Sequence, residues 1–234
     1  MFLHQRCTQR EHFDEPTRTL EEVREGYRLL EGINQLTRFA DPFKQRLPPL
    51  LGADQCRSLT LLDLGAGDGS LGRELTSWAA QRGWSWRVTS LDLNPKALRV
   101  CGAGPRVAGS ALALPFGDGT FEVVVATSMT HHLESDADVR RHFREAWRVA
   151  RTAILICDLH RNPLLLAAVW LAVVALRGPA HFRSDAVVSV RRGWRVPEWQ
   201  RLAREAAIPH AQVRWLHGAR VVLQARKPHA AVAG

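Results

Sequence analysis

Lysine is scarce in this chain. Only Lys44, Lys96 and Lys227 occur, so the formal charge of +9 is carried almost wholly by arginine spread along 234 residues. A nucleic-acid footprint normally concentrates charge on one face. The nearest thing to a basic cluster, SVRRGWR at 189–195, is short and contains Trp194, so nucleic acid is not the expected partner. Cysteine is thin as well. Cys7, Cys56, Cys101 and Cys157 form no CxxC pair, which removes a cysteine zinc site and a disulfide framework and makes a reducing, cytoplasmic setting the expectation. The opening MFLHQRCTQREHFDEP lacks the apolar stretch of a secretory signal. A membrane-spanning helix needs about 20 apolar residues. The segment that comes nearest, NPLLLAAVWLAVVAL at 162–176, is apolar on every face but too short. Internal repeats and low-complexity tracts are also missing.

The length favours one domain with decoration. Residues 17–39 place Leu20, Val23, Tyr27, Leu30 or Leu29, Ile33 and Leu36 at helical spacing, with Thr17 or Thr19 positioned as a cap. DPFKQRLPPLLGADQCRS reads as a connector with a short helix around 42–47. From residue 59 onward, short apolar runs at 59–65, 86–93, 105–110, 121–128 and 152–159 alternate with helical patterns at 70–82, 95–101 and 135–150. That alternation predicts an α/β fold with a doubly wound, mostly parallel sheet. A helix at 197–207 and two alternating strands joined around His217 and Gly218 add an antiparallel C-terminal hairpin and bring the expected sheet to seven strands. The expected organisation is an N-terminal helical cap and connector at 1–57, then a core at 58–228 interrupted by a lid insertion at 161–195.

The stretch LLDLGAGDGS at 61–70 sets Gly65, Gly67 and Gly69 at alternate positions directly after a strand that contains Asp63. Ligands bind open α/β sheets outside the carboxyl ends of the strands, and glycines let a ligand approach where a Cβ would collide. A dinucleotide loop would read GxGxxG. Here the third glycine comes one residue early, and the fixed negative charge of Asp63 would repel a pyrophosphate, favouring a ligand with a cationic or amine end. Together with LDLNP at the end of the second strand and GSALALPFGDGTFEVVVATSMTHHL beyond it, the loop resembles the first motifs of class I S-adenosylmethionine-dependent methyltransferases. It is most similar to the small-molecule group that includes the ubiquinone and menaquinone biosynthesis enzymes. The resemblance covers about 59–160 and implies a Rossmann-like core with S-adenosylmethionine as cofactor. Matching positions would place Asp63 at the amino group of the methionine part, lined by the backbone of Gly65, Ala66, Gly67 and Gly69. Asp92 would accept from both ribose hydroxyls, and Leu93 or Asn94 would lie near the adenine. Where many relatives carry Asp, this chain has Ser110, so the adenine amine would meet a neutral acceptor or the backbone of Ala111. Thr127 would lie beside the sulfonium.

Transfer from a sulfonium asks the protein mainly to align the reactants and exclude water, with no metal required. A base matters when the acceptor carries a proton at neutral pH. His131 and His132 after the fourth strand and His160 after the fifth, near Asp158, are the candidates. The apolar segment at 162–176 reads either as a buried packing helix or as a hydrophobic lid that touches a membrane surface. Arg161, Arg177, Arg183, Arg191 and Arg192 stand nearby to meet anionic groups. The expected reaction is methyl transfer to oxygen or carbon of a small lipophilic, aromatic metabolite of the quinone or polyketide kind. A non-catalytic cofactor-binding subunit is one alternative. A nucleic-acid methyltransferase is another, disfavoured because ATSMTHHL stands where an NPPY-like or DPPY-like segment would follow the fourth strand.

Overall fold

The N-terminal helical periodicity folds as α1 (Leu20–Leu36), and Thr19 with Glu22 closes a reciprocal capping box at its start. The computed structural model describes residues 3–102, 104–175, 177, 179–216 and 218–228. Helix α2 (Asp41–Leu51) runs past the expected end at residue 47 and through Pro48 and Pro49. Each proline removes a backbone donor. The helix persists because Phe43, Leu47 and Leu51 are buried against the sheet, and Gly52, at φ +91°, ends it by donating to the Pro48 carbonyl at 2.8 Å.

Strands β1 (Ser58–Leu64), β2 (Ser85–Asp92), β3 (Arg106–Ala108), β4 (Phe121–Thr127) and β5 (Ala150–Leu159) are parallel and separated by α3 (Ser70–Ala80), α4 (Pro95–Val100) and α5 (Asp136–Val149). After β5 come α6 (Pro163–Ala175), α7 (Ala180–Arg192) and α8 (Val196–Glu205). The closing hairpin is β6 (Gln212–Leu216) and β7 (Arg220–Arg226), with β7 lying antiparallel against β5. The strand order is β3-β2-β1-β4-β5-β7-β6. This is the expected seven-stranded, Rossmann-like sheet; the centre of the expected turn, His217, lies outside the described residues.

Successive strand residues face opposite sides of the sheet, and both sides are dry. Leu62, Leu64, Val124, Ile154 and Ile156 pack toward Phe143 of α5 and Trp199 of α8. Leu61, Val123, Val125 and Leu155 pack toward Phe43 and Leu47 of α2 and Leu75 of α3. Continuous apolar strands are what a doubly covered parallel sheet requires.

The lid region departs most from expectation. It contains two helices, and α7 was not anticipated because AHFRSDAVVSVRR has only a weak apolar stripe. Helix α6 is not a buried packing helix: Val173 is buried, whereas Leu164 is 77% exposed, Leu171 60% and Trp170 53%. Among the described residues no helix is long and apolar enough to cross a membrane.

Candidate functional site

The order in which strands are added reverses between the parallel neighbours β1 and β4, and the loop after β1 opens at that switch point. Gly65, Gly67 and Gly69 have φ of +66°, +57° and +75°, backbone that side chains adopt rarely. At Gly67 an added Cβ would sit 2.7 Å from Cε1 of Tyr27, and at Gly65 it would collide with Cγ of Met129. The loop is therefore a cradle open only to close neighbours: Tyr27 from α1 rests on one glycine and Met129 from the loop after β4 on another. Ala66 fixes the loop to the neighbouring strand by donating to the Leu91 carbonyl at 3.0 Å.

Asp63 is 1% exposed, and among the described residues neither of its carboxylate oxygens has a hydrogen-bond partner. Burial, reinforced by Asp92 and Asp68, pushes its carboxyl up to about 8. An unpartnered buried carboxyl is costly, and here it stands beside two further acids. Asp92 accepts from the Gly67 amide at 2.8 Å through one oxygen and from the Asn94 amide at 2.7 Å through the other. Burial raises its carboxyl and these two amides oppose the rise. Each oxygen keeps a further acceptor site. Asp68 accepts from Ser70 at 3.1 Å and pairs with Arg73 at 2.9 Å. Three acids thus meet at this strand edge with Arg73 as the cation paired to one of them. That donor set and the glycine cradle fit an amine-bearing, cationic cofactor.

The remaining expected contacts lie around the same edge. Leu93 is 74% exposed. The Ser110 hydroxyl oxygen accepts from the Leu112 amide at 3.1 Å and so ties its own turn, with Ala111 inside that turn. At the end of β4, Thr127 keeps a buried hydroxyl that has no partner among the described residues.

The three histidines separate sharply. His131 is buried; its Nδ1 meets Asp158 at 2.6 Å, its amide donates to the same carboxylate at 2.7 Å, and its Nε2 lies 3.6 Å from Glu11. Burial opposes its charge, yet the two carboxylates outweigh burial and push the imidazole up to about 10. Carboxylates at both of its nitrogens favour the charged imidazole, which makes His131 the least suited of the three expected bases. The His160 ring stacks on Trp215 with centroids 5.1 Å apart, and Asn162 lies 3.1 Å from its Nδ1. Asp158, expected beside it, serves His131. His132 is half-buried with Nδ1 2.8 Å from Asp14, which fixes the ring and leaves Nε2 as the free nitrogen.

Glu11 and Asp14 were missed by sequence reasoning. They lie in an unpatterned segment whose only local signal is its acidity, and the tertiary fold alone lays it across the loop after β4. Asp185 of α7 accepts from the amides of His12 and Phe13, both at 2.9 Å, and meets His12 Nδ1 at 2.9 Å. The cap and the lid are thus interlocked. Asp185→Ala is expected to cost about 1–3 kcal/mol of stability and to expose residues 3–19 to protease; unchanged melting and cleavage would refute the clamp. Glu11, Phe13, Arg18, Leu29, Leu30 and Phe182 are among the residues that line a cavity of about 210 Å³ between α1 and α7, and cavities of about 150 Å³ already admit benzene. Arg161 and Arg192 do not await an anion. Arg161 is buried on Glu198 at 2.5 Å and the Gly193 carbonyl at 2.6 Å, and Arg192 donates to the carbonyls of His131 and His132 at 2.9 and 2.8 Å.

Residues 62–156 match the methyltransferase domain family. The match runs from β1 into β5 and contains the glycine cradle, the part of the chain that resembles class I S-adenosylmethionine-dependent methyltransferases. The chain is similar to the demethylmenaquinone methyltransferase of Roseiflexus sp. (strain RS-1), with 36% identity over 116 residues, 47% of each chain. The chain spans about half the length of the curated relatives it matches. The fold is shared with a SAM-dependent methyltransferase from Aquifex aeolicus, at a TM-score of 0.58, 16% identity and coverage of 90% and 99% of the two chains. It is also shared with human N-acetylserotonin methyltransferase in complex with SAM, at a TM-score of 0.59, 14% identity and coverage of 90% and 57%.

Proposed function

We propose that this protein transfers the methyl group of S-adenosylmethionine to an oxygen or carbon of a small lipophilic aromatic acceptor, of the quinone or polyketide kind. The observation that carries the reading is Asp63, a buried carboxyl with no hydrogen-bond partner among the described residues, at the floor of a glycine cradle. S-adenosylmethionine, when bound, supplies an electrophilic methyl on a positively charged sulfur. The chain's own residues do the rest. Asp63 takes the amine, Asp92 accepts from the ribose hydroxyls while bracing Gly67, and Thr127 stands near the sulfur. The acceptor enters the cavity between α1 and α7, whose Phe13, Leu29, Leu30 and Phe182 suit an apolar ring, and His132 serves its ionisable oxygen. The menaquinone-related name of the Roseiflexus relative supports a quinone-like acceptor.

Calorimetry with S-adenosylmethionine and with its demethylated product tests the cradle. Labelled methyl transfer tests the acceptor class: label is expected in an organic extract of phenols and quinones and not in RNA. Cofactor binding without transfer to any of these would favour a non-catalytic subunit, and label in RNA would overturn the acceptor assignment.

The exposed apolar residues of α6 support a lipid surface as the place where a greasy acceptor is met. Arg177 and Arg183, exposed beyond its end, suit anionic headgroups. The protein is expected to float with anionic vesicles, and the combined Leu164→Asp, Trp170→Asp and Leu171→Asp variant is expected to stay behind. Failure of the unaltered protein to float removes the membrane proposal.

A further inference from the structure

Glu11, His131 and His132 bring a carboxylate oxygen and two imidazole nitrogens within 4.8 Å of one another. We propose that these three side chains bind one divalent transition-metal ion, zinc being the best fit, at the wall of the acceptor cavity. Three features converge on that assignment. First, Oε1 of Glu11 is buried without a hydrogen-bond partner among the described residues, and its charge contact is His131 Nε2 at 3.6 Å, the nitrogen an ion would share with it. Second, both histidines are oriented as metal ligands commonly are, with Nδ1 held by a carboxylate and Nε2 left for the ion. The holders are Asp158 at 2.6 Å for His131 and Asp14 at 2.8 Å for His132. Third, once His131 gives up its proton, the acids Glu11, Asp14 and Asp158 outnumber the neighbouring cations Arg6 and Arg192, so a dication is accommodated.

The geometry is within reach. Donors about 2.1 Å from a tetrahedral zinc lie about 3.4 Å apart, so the present set needs to close by no more than about 1.4 Å. Two imidazoles in three donors favour zinc and its transition-metal neighbours over magnesium or calcium, which prefer all-oxygen shells. Entry of the ion releases the proton on His131 Nε2 to solvent. Three protein ligands leave a position open, as in metal sites that act on substrates, and Glu11 lines the cavity. An acceptor oxygen in that position would lose its proton more readily. His132 would then activate the acceptor through the ion, a role that rests on the methyl-transfer reading above; metal binding itself does not.

The test strips the purified full chain with a chelator and titrates it with Zn²⁺ against a zinc-sensitive dye, alongside calorimetry with S-adenosylmethionine. The expected result is one zinc per chain. Glu11→Gln is expected to weaken zinc binding at least about 100-fold, and Asp14→Asn about 10- to 100-fold, with cofactor affinity unchanged in both. Asp14 is exposed, so its variant decides the matter if Glu11→Gln does not fold. Substoichiometric uptake by the parent chain, or binding that neither variant weakens, overturns the metal site. Transfer at the same rate with and without bound zinc would overturn the ion's role toward the acceptor, whereas zinc binding without cofactor binding would sink the methyl-transfer reading alone.

Discussion

Asp63→Asn is expected to weaken S-adenosylmethionine binding by at least about 30-fold while making the ligand-free protein more stable. The two effects share one cause. Removing one partner of a buried charge pair costs about 2–5 kcal/mol, and each 1.4 kcal/mol is about tenfold in affinity. The stability change follows from linkage. Burial first, then Asp92 and Asp68, raise the folded carboxyl to about 8, against an unfolded value of about 3.9. Between those values the folded chain holds a proton that the unfolded chain has lost, so stability falls as pH rises through that window and levels off above it. Asparagine does not titrate. The gap in melting temperature between variant and parent should therefore widen from about pH 4 to about pH 8 and then stay constant. Parallel melting curves across that range, or retained cofactor affinity, would refute the assignment of Asp63 as the carboxyl held in reserve for a cation.

The alternation of apolar runs and helical patterns made the sheet and its order of elements legible, because both periodicities are local. So were Asp63, the three glycines and Asp92, since a strand end and the loop after it are contiguous in sequence. What stayed hidden depends on distant pairing. Asp185 holds the backbone of His12 and Phe13 across 173 and 172 positions, and no local pattern announces that. Arg161 and Arg192 read as free cations in the sequence, but the fold uses them to bond the carbonyls of Leu3, Gly193 and the loop after β4. The same limit separated the histidines. Their loop positions look equivalent, and only the carboxylates reaching them from elsewhere tell His131 from His132. Helix α2 shows the converse: its prolines argue for a connector, and burial of Leu47 and Leu51 overrides them.

The second large effect is expected at His132. If it serves the acceptor oxygen, His132→Ala should lower kcat by about 10²- to 10⁴-fold, the range for loss of a positioned proton-handling group, with S-adenosylmethionine affinity unchanged. His160→Ala is the matched comparison. Its ring packs on Trp215, so it should melt earlier but turn over at close to the parent rate. The contrast is sharpened by acceptor chemistry. An acceptor supplied already ionised, or a carbon nucleophile that needs no deprotonation, should recover much of the rate lost in His132→Ala, because the missing step is then bypassed. A merely structural role for His132 predicts no such recovery and a loss of cofactor affinity alongside the loss of rate. Equal turnover in His132→Ala and the parent would remove His132 from the reaction altogether and leave the acceptor to be activated by its own acidity.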